Sequence, residues 1–454
     1  MSNGKSAVLS GREWDELSLL RASKLTPRPT ALSDTGLSET FVADLVAKHI
    51  LDRGTLALAE LSSILALAGS IVEGVLGFMR TEALIEVRPG QANALGLAYT
   101  LTDRGRVTAL DAMMRSGYLG PAPVPLRQYA LIARAQSVHN RSVTQESMRA
   151  AFHDITLDAR LLDSLGPAMN SVRAMFLYGP AGTGKTYISQ RLCRLFRQPT
   201  LIPHALAIDE SVVQMFDPLI HKQMHQAPTR DDLKFDEGHD PRFVICERPV
   251  VITGGELTGE MLEVQFETAT RLYEAPLQLK ANNGMFIIDD MGRQKVSPAQ
   301  VFNRWIVPME EKRDYLTLGS GRHFTVPFDV ILVFSTNIHP LDLADEAFLR
   351  RIGYKIEFGT LSAELYERIW REVCVTYKLE YDPKVLDYIL NELHAKRRVA
   401  LLPCHPRDLL GMALDHAIYE QESQEVSIDD IRWAWDNYFV PVDGRTEQTG
   451  RTMP

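Results

Sequence analysis

The sequence predicts an α/β protein: a parallel-sheet core, a small helix-rich domain with a two-stranded wing before it, and a helical segment after it. Three observations predict this. From about residue 150, short apolar runs such as 174–178, 285–288 and 330–334 alternate with helical stretches, the pattern of a parallel sheet. From residue 362 onward the apolar spacing is helical only, over 365–377, 383–393, 407–419 and 428–438. Ahead of the core, helical runs over 39–53, 56–66 and 70–80 lead into a hairpin and one more helix from Asp103.

The front elements divide as follows. Residues 1–32, with Pro27 and Pro29, read as a flexible lead-in, and 33–125 as one domain. Its first helix carries Phe41, Leu45, Val46, Ile50 and Leu51 on one face and stops at Gly54. The hairpin strands are expected at 83–87 and 98–101, joined by the turn-rich Arg88-Pro-Gly90. Pro121, Pro123 and Pro125 mark a stiff boundary, and 126–150 reads as a linker. The core is expected over 151–360, the helical lid over 361–441, and a polar flexible tail over 442–454.

Composition narrows the class. The 454 residues suffice for about two to three domains with a sizeable core. At 45% hydrophobic and 24% charged, the chain is globular rather than disordered. A formal charge of -9 argues against coating nucleic acid, although a local basic patch stays open. Cys193, Cys246, Cys374 and Cys404 are scattered without metal-ligand spacing, as befits thiols in a reducing compartment. The first residues lack a signal-peptide pattern. The most apolar stretch, 56–78, is broken by Glu60 and Glu73, so it reads as a buried helical pair and not as a transmembrane segment. A soluble, cytoplasmic protein is expected.

The chemistry concentrates in the core. Gly179, Pro180, Ala181, Gly182, Thr183, Gly184, Lys185 and Thr186 form a GxxxxGK[ST] loop between an apolar strand and a helix that starts at Tyr187. Glycines let successive amides point at phosphate oxygens, Lys185 supplies a charge to the outer phosphates, and the Thr186 hydroxyl can ligate Mg²⁺. The strand 285–288 ends in Asp289 and Asp290. At such a strand end the first acid helps hold Mg²⁺ and the second polarises water, so ATP and Mg²⁺ are the expected ligands. The strand 330–336 ends beside Asn337.

Together these residues resemble the AAA+ superfamily of P-loop ATPases. The resemblance implies a P-loop AAA+ parallel-sheet core with a C-terminal helical lid, and assembly as a homo-oligomer, a hexameric ring. It assigns Asn337 as the first sensor, and Arg350 or its neighbour Arg351 as the finger that reaches the adjoining subunit's ATP. Arg407, in His405-Pro-Arg-Asp-Leu-Leu410, is similar to the second sensor. Asp290 stands where the AAA+ pattern usually has Glu, one methylene shorter. A hairpin expected between 303 and 334 is the mark of the branch with a hairpin before the first sensor, which includes MoxR-type chaperones and enhancer-binding activators. The runs 252–293, 303–315 and 345–356 look like bacterial ATPases described as having chaperone activity associated with Flp pilus assembly. Residues 209–217 lack the aromatic–apolar–Gly loop of threading unfoldases.

The front domain resembles a winged helix, on the order of its elements and on residues 99–106. Two partner classes stay open, DNA and protein. Protein is favoured, because the helix 70–80 offers Arg80 as its only basic residue and also carries Glu73. The resulting expectation is an ATP-hydrolysing ring motor that remodels an unidentified protein substrate or adaptor. The alternative is an ATP-gated regulator or DNA-bound switch.

Overall fold

The computed structural model describes residues 23–89, 97–140, 142–196, 198–224, 238–421 and 425–439. The expected flexible tail lies outside the described residues, as does Gly90 of the hairpin turn. In the front part, α1 (Glu39–Arg53), β1 (Leu56–Ala57), α2 (Leu58–Leu65), α3 (Gly69–Thr81), β2 (Ile85–Pro89), β3 (Leu97–Leu101) and α4 (Asp103–Arg115) follow one another. The start of α1 is fixed by the Ser38 hydroxyl, which accepts from the Phe41 amide; Thr102 does the same for Gly105 at α4. The strands pair antiparallel in the order β1-β3-β2. Val42, Val46, Leu61, Leu65, Val72 and Met79 are fully buried between the helices. Among the described residues no single helix is long and apolar enough to cross a membrane; α2 and α3 pass such a test only as a pair, bent by 113°.

Two expectations need correction. The lead-in is anchored at its end: Thr26 is buried, its carbonyl accepts from the Asp240 amide, and Pro27 bridges to His239. Residues 126–150 are packed rather than a free linker. Val124 and Pro125 pair in parallel with Leu206 and Ala207, and the helix α5 (Leu126–Ala135) then buries Tyr129, Ile132 and Ala133. The reason is visible in the side chains, since an apolar stripe at helical spacing needs a surface to cover it. A second tie is the Asp240–Arg242 pair, with both side chains fully buried. Arg242 also donates to the carbonyls of Thr35 (3.0 Å) and Pro123 (3.4 Å) and to Gln128 Oε1 (3.2 Å). The apolar core of the front part runs on into Ala205, Val212 and Leu272, so it is continuous with the neighbouring sheet.

The central sheet consists of β4 (Met175–Tyr178), β5 (Val250–Thr253), β6 (Gly284–Ile288), β7 (Val330–Thr336) and β8 (Tyr354–Glu357). All pairings are parallel, in the order β5-β6-β7-β4-β8. Both faces are covered, which is why these strands read as continuous apolar runs. Phe176, Phe286, Ile288, Leu332 and Phe334 enter one core, while Met175, Leu177, Met285, Ile287, Ile331 and Val333 enter the other. The loop helix is α6 (Lys185–Leu192), shorter than expected and followed by a 3-10 turn. The helix α7 (Pro298–Glu311), capped by Ser297, lays Phe302 and Trp305 on the first face, with Phe286 and Trp305 ring centres 5.2 Å apart.

A second five-stranded sheet stands beside this core, ordered Gln265–Glu267, Leu272–Glu274, Ser211–Gln214, Ala205–Ile208 and Val124–Pro125. The hairpin expected before β7 is present as Arg313–Thr317 paired with His323–Pro327, and its Leu316, Phe324 and Val326 share a core with α5. The short helix α8 (Glu346–Arg351) precedes β8. The lid comprises α9 (Ala363–Tyr377), α10 (Cys404–Gln421) and α11 (Ile428–Tyr438) around Trp370 and Trp435. The single helix expected at 383–393 is instead an α-helix over Pro383–Asp387 that widens into a π-helix over Tyr388–Ala395. There His394 sits between the Tyr366 hydroxyl (3.2 Å) and the Val399 carbonyl (3.0 Å).

Candidate functional site

The glycine loop leaves the carboxyl end of β4 and turns into α6. Gly179 has φ +142, and a Cβ there would stand 2.2 Å from the Phe358 carbonyl oxygen. Only glycine allows the loop to pass that close to the end of β8. Gly182, at φ +81, lies against the lid: a Cβ there would meet Cys404 Sγ at 2.4 Å. Lys185 is buried, and its ammonium donates to the carbonyls of Gly179 and Pro180, both at 2.8 Å. Burial depresses the pKa of that ammonium, against the pull of Asp289 and Asp290.

The strand order brings the remaining groups in. One strand, β7, separates the loop strand β4 from the acidic strand β6, so Asn337 at the end of β7 stands between loop and acids. Lys185 Nζ donates to Asn337 Oδ1 at 2.7 Å, and Asn337 Nδ2 donates to Asp290 Oδ1 at 3.4 Å. The Thr186 hydroxyl donates to Asp289 Oδ2 at 2.6 Å. Asp290 has φ +48, a left-handed conformation that Asp tolerates better than most side chains. Gln294 holds that turn, donating to the carbonyls of Asp289 (2.8 Å) and Asp290 (3.2 Å).

These residues line a cleft of roughly 1140 Å³ between the core and the lid. Its lining combines the polar set Lys185, Thr186, Asp289, Asp290 and Asn337 with apolar side chains that include Ile155, Leu157, Ile356, Phe358, Ile369 and Val373. Pro180 is exposed beside it, while Ala181, Thr183, Gly184 and Tyr187 line it with the rest of the loop. Arg407 lines the cleft from α10 and pairs with its neighbour Asp408, at 3.2 Å. Arg350 and Arg351 do not line it. Arg350 points away with 81% of its side chain exposed, whereas Arg351 is tied to Glu310 (2.5 Å) and to the Ala347 carbonyl (2.8 Å).

Sequence reading missed several lining residues. Thr156, whose hydroxyl reaches Glu372 of α9 at 2.5 Å, lies where no motif marks it. Cys404 and Arg293 also border the cleft. The signal for Arg293 was present, as it follows the acidic pair within one turn of chain.

Residues 362–437, the lid, match a family described as a domain of unknown function (DUF8689). No curated protein matches the chain in sequence. Among solved structures, the Thermotoga maritima RuvB Holliday junction branch migration motor is similar at 13% identity and a TM-score of 0.34, over 65% of this chain and 72% of that one. NtrX from Brucella abortus is similar at 12% identity and a TM-score of 0.36, over 61% of this chain and 56% of that one. The chain is a mixed α/β protein with a parallel sheet and a phosphate-type glycine loop at the sheet's carboxyl edge.

Proposed function

We propose that this chain is an AAA+ ATPase that hydrolyses ATP as a homo-oligomeric ring, a hexamer by its resemblance, and remodels or assembles a protein partner. The observation that carries the reading is the linked set Lys185–Asn337–Asp290 beside Thr186–Asp289, all lining the cleft. The residues fit a triphosphate and its metal. Freed from the Gly179 and Pro180 carbonyls, the Lys185 ammonium has a phosphate oxygen as its natural replacement acceptor. Thr186 and Asp289 supply the hard oxygen ligands that Mg²⁺ takes, and the ion would neutralise phosphate charge there. The apolar lining suits the faces of a heterocyclic base. Asp290 is the carboxylate available to orient water, and Asn337 sets its direction.

The ring follows from Arg350. It is exposed, outside its own cleft and, among the described residues, paired with Glu346 at i,i+4 and 3.3 Å, an arrangement worth little in solvent. Arg351 is already engaged, so Arg350 is assigned as the finger supplied to a neighbouring subunit. A protein partner is favoured over DNA, because the exposed positions of α3 are Ser70, Glu73, Gly74, Gly77, Arg80 and Thr81. One cation beside one anion does not make a phosphate-reading helix. The resemblance to pilus-associated chaperones gives the first partner class to examine.

The test is ATP turnover per subunit against protein concentration, with Lys185→Ala as the control. Turnover should rise with concentration and vanish in the variant. Mixing Lys185→Ala with Arg350→Ala subunits should restore part of the activity, since an intact site then forms at mixed interfaces. ATP binding without turnover at any concentration would replace the motor with a nucleotide-gated switch.

A further inference from the structure

We infer that Arg293 is a second, same-chain cation for the terminal phosphate, so that each site combines an internal arginine with the one supplied by its neighbour. The inference rests on the ATPase reading above and concerns the same cleft. Its starting point is the turn after the acidic strand. The Arg293 amide donates to the Asp290 carbonyl at 3.0 Å, and Gly292 between them has φ +108. That closes a four-residue turn, Asp290-Met-Gly-Arg293, with a positive φ at its third position, where glycine is required. The turn is pinned on both sides. The Met291 amide donates to the Ser335 carbonyl of β7 at 2.8 Å, and Gln294 Oε1 accepts from the Gly292 amide at 2.8 Å. A Cβ on Gly292 would also press on Ile338 at 3.0 Å and Leu343 at 3.1 Å, so the backbone has one place to be.

This fixed turn sets Arg293 on the wall of the cleft together with Asp289, Asp290 and Asn337. Its guanidinium makes no hydrogen bond or ion pair with any other described residue. The contrast with its peers is informative. Lys185 is satisfied by loop carbonyls and Asn337, and Arg407 by Asp408. Arg293 and Arg160 share an exposed guanidinium without an internal acceptor among the described residues, and of the two it is Arg293 that follows the acidic pair directly in the chain. Two carboxylates lie on the same wall, yet it pairs with neither, which leaves the planar fork available for a phosphate oxygen pair. The shortened acid at Asp290 gives such a group a role, because charge developing on the transferred phosphoryl needs donors already in place.

The consequence is selectivity for the third phosphate. Arg293→Ala should weaken ATP binding about tenfold while leaving ADP binding unchanged, and should lower turnover by roughly 10²-fold. Arg293→Lys should recover part of the binding and little of the turnover, since a point charge lacks the fork. Competition of ATP and ADP against a fluorescent nucleotide, together with steady-state turnover on the full chain, reads both. Subunit mixing separates this arginine from the finger. Arg293→Ala mixed with Lys185→Ala should give no rescue, because both defects fall on each chain's own site.

Equal loss of ATP and ADP affinity would reduce Arg293 to a structural role and overturn the inference. So would wild-type turnover in Arg293→Ala, or rescue on mixing. A wild-type chain that binds no nucleotide would sink the ATPase reading itself, a different outcome from a nucleotide-binding wild type with an unaffected Arg293→Ala.

Discussion

Gly182 is where the phosphate loop and the lid meet, and replacing it with alanine tests whether that contact is part of the site. Two separate costs follow from the geometry. The residue has φ +81, and an L side chain in that region costs about 1–2 kcal/mol. The new methyl would also stand 2.4 Å from Cys404 Sγ, well inside the ~3.5–4.0 Å of ordinary contact. Loop or lid must give by about 1 Å, and overpacking of that kind costs roughly 1–3 kcal/mol. The total is about 2–5 kcal/mol. It appears in unfolding free energy if the loop keeps its shape without nucleotide, and in ATP affinity if the loop relaxes. Urea unfolding and titration with a fluorescent ATP analogue measure the two parts. The decisive comparison is Gly182→Ala in a Cys404→Ala background. There the nearest remaining lid atom is Cys404 Cβ at 3.5 Å, so the overpacking disappears while the backbone cost stays. A coupling of about 1–3 kcal/mol between the two substitutions is expected. If their effects simply add, the loop does not rest on the lid and the reasoning fails.

Two further outcomes follow from buried charge. Arg242→Ala leaves Asp240 without its partner at full burial and should destabilise the chain by about 3–5 kcal/mol, measured by urea unfolding; Arg242→Lys should not rescue it, because Nη1 serves Thr35 and Pro123 while Nη2 serves Gln128 and Asp240. In the lid, burial and then the neighbouring His394 depress His405 to a pKa of about 4, with Asp408 opposing. The unfolded chain binds that proton near pH 6.5 and the folded chain resists it, so this stability is complete above about pH 6.5. It is lost as pH falls toward about 4, at up to ~1.4 kcal/mol per pH unit. Burial lowers His394, His221 and His49 too, so they add to the same trend. Unfolding free energy should therefore drop between pH 7 and 5, less steeply in His405→Gln, and a flat profile would refute the assignment.

The glycine loop was legible because its residue types stand in a fixed local order. Gly179 to Thr186, the acids at the end of β6 and Asn337 at the end of β7 all announce themselves as apolar strands ending in polar groups. The sequence could not say how these ends come together; that depends on β7 lying between β4 and β6, a non-local property. Nor could it say that Arg351 pairs with the distant Glu310 while Arg350 pairs with Glu346 on its own helix. The linker reading failed for a related reason. The stretch around Tyr129, Ile132 and Ala133 has an ordinary helical stripe, and only the hairpin at Leu316 and Phe324 reveals what it covers. Thr26 is an extreme case, a polar residue in a Pro-rich lead-in that is buried because Asp240 needs its carbonyl.

The same long-range ties fix the front part against the core. Val124 and Pro125 add a strand to the sheet that ends in the hairpin Gln265–Glu267 and Leu272–Glu274. The Gly117 amide donates to the Arg271 carbonyl at 3.2 Å, and Arg271 returns a bond to the Met114 carbonyl at the end of α4. Asp240 and Arg242 lock the other side. The front part is therefore joined to the inserted sheet by backbone pairing, a shared apolar core and a buried ion pair, not by a single tether. The lid meets the glycine loop where Gly182 faces Cys404 and Leu402, and it meets the segment before the core through the Thr156 hydroxyl and Glu372. A partner bound to the front part would therefore be held against the sheet and hairpins of the core through several independent ties.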